Sequence, residues 1–263
     1  MKQSIKILAL SDVHGDIDKV DIGDAEIVIV AGDIGPDPTA QQKFHHMDRR
    51  EVSIKWAKSE KTIAWFKKHK DVRFYILPGN HDKFASHSDS RHEIKKLWPE
   101  NVKLIKDAGY VDESGLTIWG MPWNPLKENG RGTFGAKRDK IQRKCMKIFR
   151  HFKCLDILVT HAPPRIANSE YDRGGWHISS ELSEMLPVIK PRLLICGHSH
   201  NLSHVPLVYK KTGTTIVNVA MKSDHALIED GGTFVYKPRR IVATIEREID
   251  FDMNMKDNML VKD

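Results

Sequence analysis

Cysteine is scarce and unpatterned. The chain has three, Cys145, Cys154 and Cys196, at unrelated spacings and with no Cys-x-x-Cys, which argues against both a disulfide framework and a thiolate zinc site. A reducing compartment fits that usage. No stretch approaches the ~20 apolar residues needed to span a bilayer. The opening MKQSIKILALSDVHG holds a short apolar run, but Lys6 breaks it, Asp12 ends it, and no small-residue cleavage site follows. The expectation is a soluble, cytoplasmic protein with no membrane partner. Internal repeats and low-complexity linkers are also missing, which excludes a solenoid or a beaded array.

An excess of charge of one sign is missing from most of the chain as well. The net charge is +7, yet between Lys137 and Lys153 eight basic residues face Asp139 alone, which accounts for all of it. In that segment Ile141, Cys145, Ile148, Phe149 and Phe152 share one helical face, and Lys140, Arg143, Lys144, Lys147 and Arg150 the opposite one. The pattern predicts an amphipathic surface helix over 139–152 with a basic outer face. Such a face either keeps the protein solvated or meets nucleic acid or another polyanion.

What is present is a series of short apolar, β-branched runs, each closed by Gly, Pro, Asn or Asp, as buried strands of an α/β sheet are. The clearest are IKILAL (5–10), AEIVIVA (25–31), VRFYIL (72–77), LDILVT (155–160) and RLLIC (192–196). Helical stretches alternate with them. One, after the fourth run, carries Leu182, Met185, Leu186 and Ile189, and Pro187 should kink it or end it early. Weaker strand candidates are VKLI, GLTIWGM, VPLVY, TTIVNVA, GTFVYK and RRIVATIE. About a dozen strands exceed what one sheet of a compact domain holds, so two packed sheets are expected. A single domain over 1–249 is the economical division, with 250–263 a loosely ordered tail.

Five of the runs lead into loops of one kind. Asp12 and His14 follow the first in SDVHGD, Asp33 the second in AGDIG, Asn80 and His81 the third in LPGNHD, His161 the fourth in THAPP, and His198 and His200 the fifth in CGHSH. Sites in α/β sheets form outside the carboxyl ends of the strands, so these loops can converge. Two aspartates, an asparagine carbonyl and four histidines suit manganese, iron or zinc and not copper(I). Seven ligands are too many for one tetrahedral ion and fit two ions ~3.5–4 Å apart that share a carboxylate.

The ordered set Asp-x-His, Gly-Asp, Gly-Asn-His-Asp, a lone His and Gly-His-x-His, running from Asp12 to His200, resembles the calcineurin-like metallophosphoesterase superfamily. The resemblance implies a four-layer α/β/β/α sandwich of two packed mixed sheets. It implies that Asp12, His14 and His200 bind one divalent or trivalent ion (Mn, Fe or Zn), that Asn80, His161 and His198 bind a second, and that Asp33 bridges both. Asn80 and His81 then contact the phosphoryl group, metal-bound hydroxide attacks it, and His81 protonates the departing alcohol. Several branches of the family carry a carboxylate three residues after the bridging Asp to orient that histidine. Here the position is Pro36, which leaves Asp37 or Asp82 as substitutes.

GMPWNP, THAPP and KPRLLICGHSH are further similar to the small metallophosphoesterases that include the cyclic-nucleotide-type phosphodiesterase group. That resemblance favours a phosphodiesterase acting on a small phosphoester or nucleotide. Trp123 and Phe134 are candidates to stack a base, and Arg173 to neutralise a phosphate. A phosphomonoesterase, a nuclease that uses the basic helix, and a non-catalytic metal-binding scaffold are the alternatives. Oligomeric state has no sequence signal.

Overall fold

The computed structural model describes residues 2–44, 46–126, 133–172, 178–202, 206–220 and, as backbone, 241–248. The five clear apolar runs become β1 (Lys2–Leu10), β2 (Ile27–Ala31), β3 (Arg73–Leu77), β9 (Ile157–Thr160) and β10 (Leu193–Cys196). Shorter strands are β4 (Val102–Leu104), β5 (Ala108–Val111), β6 (Thr117–Met121), β7 (Asn124–Pro125), β8 (Gly135–Ala136), β11 (Leu207–Tyr209), β12 (Thr214–Asn218) and β13 (Ile241–Glu248). They build two mixed sheets, ordered β13-β1-β2-β3-β4 and β11-β12-β10-β9-β6-β5, beside the small pair β7-β8. Within each sheet the inner strands run parallel, and β13, β5 and β11 are antiparallel.

Alternation along the strands sorts the core into three layers of apolar contact. Ile7, Ile27, Ile29 and Leu77 of the first sheet meet Ile118, Ile157, Val159 and Ile195 of the second in the space between the sheets. Leu8, Val28, Val30, Phe74 and Ile76 point the other way, onto α2 (Arg49–Ala57), α3 (Glu60–Lys68) and α4 (Ser88–Leu97), through Trp65, Phe66, Ile94 and Trp98. The outer face of the second sheet packs Trp119, Leu158, Leu194 and Ile216 on α5 (Arg138–His151) and α6 (Ser180–Ile189). The result is the expected four-layer α/β/β/α sandwich. A short helix, α1 (Ala40–Phe44), lies in the connection after β2.

Helix starts follow capping chemistry. Asp48, Ser59 and Ser179 accept hydrogen bonds from the backbone N–H of Glu51, Thr62 and Leu182, satisfying donors that the first turn leaves open.

Three expectations need correction. Pro187 does not end α6, which continues to Ile189 and stops at Lys190 in the left-handed conformation. Pro187 lacks the N–H that would reach the carbonyl of Ser183, so the helix forgoes one bond there, and only two residues follow before the C-cap. Phe149 does not join the buried face of α5; it is 48% exposed, while Ile141, Cys145 and Ile148 are buried. The basic face of α5 is not wholly solvated either, because Lys140 and Lys144 turn back over the ring of Trp123, with Nζ 3.4 Å and 5.8 Å from its centroid. GTFVYK and the tail 250–263 lie outside the described residues, and β5, with Gly109 in its middle, has too little alternation to be read from sequence.

Candidate metal centre

All five loops emerge at the carboxyl ends of parallel strands, β1, β2 and β3 in one sheet and β9 and β10 in the other. Backbone hydrogen bonds lace them together. Asp12 N–H donates to Gly32 O (2.9 Å), His14 N–H to Asp33 O (3.0 Å), and Gly197 N–H to His161 O (2.9 Å). The two aspartates are fixed in turn, since His198 N–H donates to Asp12 Oδ2 (3.0 Å) and His81 N–H to Asp33 Oδ1 (2.7 Å).

The backbone is strained here in a way the sequence does not announce. Asp12, His14, Asp33 and His198 have φ of 60°, 45°, 51° and 67°, a left-handed region that costs non-glycine residues free energy and collects at functional sites. The sharp turns thus fall on the polar residues themselves. Gly79 and Gly197 serve close approach instead: a Cβ at Gly79 would sit 2.3 Å from Asp33 Oδ1, and one at Gly197 would sit 1.9 Å from Ser11 Oγ.

Three groups of ligand-type atoms result, Asp12–His14–His200, Asp33–His161–His198 and, sharing His14, His14–Asp37–His81, the atoms of each lying within 4.8 Å of one another; the first two hold the candidate ligands. Asn80 joins the second group, its Oδ1 being 2.9 Å from His161 Nε2. A cation fits both. In the first, Asp12 Oδ1 and His14 Nδ1 are buried without a hydrogen-bond partner, a state that costs free energy unless something charged or polar meets them. In the second, His161 Nδ1 lies 2.8 Å from Ala31 O. With the Nδ1 proton donated there, the Nε2 lone pair faces Asn80 Oδ1 at 2.9 Å and Asp33 Oδ2 at 3.2 Å. Three acceptors converge on one point, which only a proton or a metal ion can occupy. In the metal-free chain a proton takes that place: against the opposing effect of burial, Asp33 pushes His161 up to about 9. Burial by itself would raise Asp33, but the charges of His161, His81 and His14 hold it well below the ordinary carboxylate range.

His81 belongs to a different grouping. Its Nδ1 is 2.8 Å from Asp37 Oδ1 and its Nε2 is 3.9 Å from Asp33 Oδ2. Arg49 Nε holds the same Asp37 oxygen at 3.0 Å. Burial lowers His81, yet the hydrogen bond to Asp37 and the charges of Asp33 and Asp37 outweigh it, so the imidazole is raised above its ordinary value. Asp82 is not its partner. That carboxylate is fully buried and accepts the backbone N–H groups of Gly79, Gly35 and Ile34 at 2.8, 2.8 and 3.2 Å. It ties the Asp33 loop to the Asn80 loop, and burial with the nearby Asp33 charge pushes it up to about 7.

Trp123 stands at the end of β6, partly buried, with Phe134 edge-on at 5.9 Å and its Nε1–H donating to Asp107 Oδ1 at 2.6 Å. Arg173 lies outside the described residues.

Known proteins match this chain in sequence and in fold. The family model described as Calcineurin-like phosphoesterase matches residues 5–202, three quarters of the chain and all seven candidate ligands. A UPF0046 protein of Caenorhabditis elegans is 25% identical over 251 residues, 91% of this chain and 77% of that one. Among solved structures, TT1561 of Thermus thermophilus superposes with a TM-score of 0.56 at 11% identity, covering 82% of this chain and 89% of that chain. A dimetal phosphatase from Danio rerio does so with a TM-score of 0.52 at 14% identity, covering 81% and 86%. At those identities the structures speak for the fold.

Proposed function

The chain belongs to the calcineurin-like phosphoesterase family, and on that premise we propose that it is a two-metal phosphodiesterase acting on a small phosphoester or nucleotide. Asp12, His14 and His200 would hold one ion, Asn80, His161 and His198 the other, and Asp33 both. Manganese, iron and zinc all suit this oxygen and nitrogen donor set. When bound, the two cations neutralise phosphoryl oxygens and activate a water for in-line attack.

The remaining work falls to the chain. Ala31 O fixes the His161 ring so that Nε2 faces the other ligands. Asp82, bonded to the N–H groups of Ile34, Gly35 and Gly79, keeps the bridging aspartate and the Asn80–His81 turn in register. His81 is the proton donor to the departing alkoxide. Asp37, held by Arg49, keeps that proton on the ring to higher pH than an unassisted imidazole would.

The observation that carries the proposal is the convergence of His161 Nε2, Asn80 Oδ1 and Asp33 Oδ2 beside Asp12 Oδ1 and His14 Nδ1, which are buried without a hydrogen bond, His200 Nε2 lying 3.5 Å from that Asp12 oxygen. The preference for diesters is supported by the Gly-x-Pro-Trp and Lys-Pro-x-Leu segments of the sequence. Three free cysteines, two of them buried, support a cytoplasmic setting. Hydrolysis of bis-p-nitrophenyl phosphate and p-nitrophenyl phosphate by metal-stripped protein reloaded with manganese is the test. Faster diester turnover is expected; faster monoester turnover makes the protein a phosphomonoesterase, and no turnover of either leaves an enzyme of narrow specificity or a metal-binding scaffold.

A further inference from the structure

Beside the metal centre the two sheets carry a second group of charges that the hydrolysis does not use. Ile76 of β3 is in register with Leu104 of β4, so Lys106 and Asp107 leave the same edge of the first sheet as the loop holding Asn80 and His81. Met121 of β6 is in register with Thr160 of β9, so Trp123 leaves the same edge of the second sheet as His161. In each sheet the distance is one strand spacing, about 4.8 Å. The bond from Trp123 Nε1–H to Asp107 Oδ1 joins the two edges.

Four cations gather there. Lys106 Nζ lies 5.2 Å from the Phe134 ring centroid, and Lys140 and Lys144 reach the Trp123 ring from α5. Arg91 approaches from α4, close enough for its charge, after burial, to be the largest influence lowering Lys106, which is held down to about 8. None of the four is fully exposed. The acid among them, Asp107, is already engaged by Trp123 and by Lys144 Nζ at 3.0 Å. Arg91, Lys106 and Lys140 have no carboxylate partner among the described residues. Like charges drawn together and partly stripped of water oppose folding. An anion among them relieves that cost, and ammonium donors brought together from the β4 edge and from α5 match a doubly charged tetrahedral oxyanion better than a flat carboxylate.

We propose that Lys106, Lys140 and Lys144, gathered against Trp123 and Phe134, bind a second phosphate group of the substrate, one strand over from the metal centre. The substrate class is then a phosphoester that carries a further phosphate, such as a nucleotide with a pendant phosphate. The word substrate rests on the phosphoesterase reading above; the phosphate site itself does not. Nucleic acid is the less fitting ligand, because the ammonium groups of Lys140 and Lys144 turn inward onto one indole ring instead of lining a track along the helix.

Titration of full-length protein with inorganic phosphate by calorimetry, at constant ionic strength set with chloride, separates the two claims when done on manganese-loaded and on chelator-treated protein. One phosphate per chain is expected to bind after chelation. Its affinity should fall at least tenfold in Lys106→Met and in Lys140→Met and stay within twofold in Arg150→Gln, an exposed position on the same helix. Lys106→Met relieves charge repulsion, so its melting temperature should not fall, which distinguishes a lost ligand from a lost fold. Absent binding after chelation, equal affinity in wild type and Lys106→Met, or an equal loss in Arg150→Gln would overturn the proposal, whatever the turnover assays show. Tighter binding of a single-stranded oligonucleotide that weakens with Arg150→Gln would overturn it in favour of a nucleic-acid track.

Discussion

His81 Nδ1 lies 2.8 Å from Asp37 Oδ1, and Asp37 is the fourth residue after Asp33 rather than the third. Pro36 occupies the third place, and the chain still brings a carboxylate to the imidazole by using the next residue. The sign of the effect follows from the direction of the shift. Asp37 raises His81, and an acid catalyst must be protonated, so activity persists until pH climbs through that raised value. In Asp37→Asn the alkaline decline should begin at lower pH, with kcat at pH 8 reduced about tenfold or more. His81→Ala should cost about 100- to 10,000-fold in kcat at all pH values. A pH–rate profile of Asp37→Asn that overlays the wild type would remove Asp37 from the account.

Metal affinity should depend steeply on pH. In the metal-free chain His161 is raised to about 9, and its Nε2 proton occupies the position that a metal would take. Below that value proton and metal compete, so affinity should fall roughly tenfold for each pH unit of acidification, through this one group. Zinc titrations at pH 6, 7 and 8 read the slope directly. A flat dependence would mean that His161 does not ligate.

Glycine at 79 and 197 is required by space, not by φ. A methyl group at Gly79 would press on the Asp33 carboxylate and backbone, and one at Gly197 on Ser11 and Asp12. Gly79→Ala and Gly197→Ala should each lose about 1–3 kcal/mol of stability and lower metal content, measured by urea unfolding and by metal analysis. Full metal content in both would show that the loops have room to give.

Tyr171 offers a test away from the ions. Its buried hydroxyl oxygen accepts Asn218 N–H at 3.1 Å, at the end of β12. Tyr171→Phe leaves that donor without a partner and should cost about 1–3 kcal/mol, with turnover per folded molecule unchanged. Unaltered stability would mean that the N–H finds another acceptor.

Much of this candidate centre is legible in the sequence because each candidate ligand sits in a loop that follows an apolar run, and parallel strands present their carboxyl ends on one side. Asp12, Asp33, Asn80, His161, His198 and His200 are brought together for that reason alone. The left-handed turns at Asp12, His14, Asp33 and His198 are not legible, since only glycine advertises positive φ. Asp37 could be named only as one of two alternatives, because Asp82 is as near in sequence; burial and three backbone N–H partners separate them. The inward turn of Lys140 and Lys144 escapes helical periodicity, which assigns a residue to a face but not the direction of a long, flexible side chain.

The measurement that tests the central claim most directly is turnover of bis-p-nitrophenyl phosphate by metal-stripped protein as manganese is added in known equivalents. The account predicts no activity without metal, a rise that levels at two ions per chain, and loss of both the plateau and the bound metal in Asp33→Ala. Activity that levels at one ion per chain, or that survives in Asp33→Ala, would contradict it.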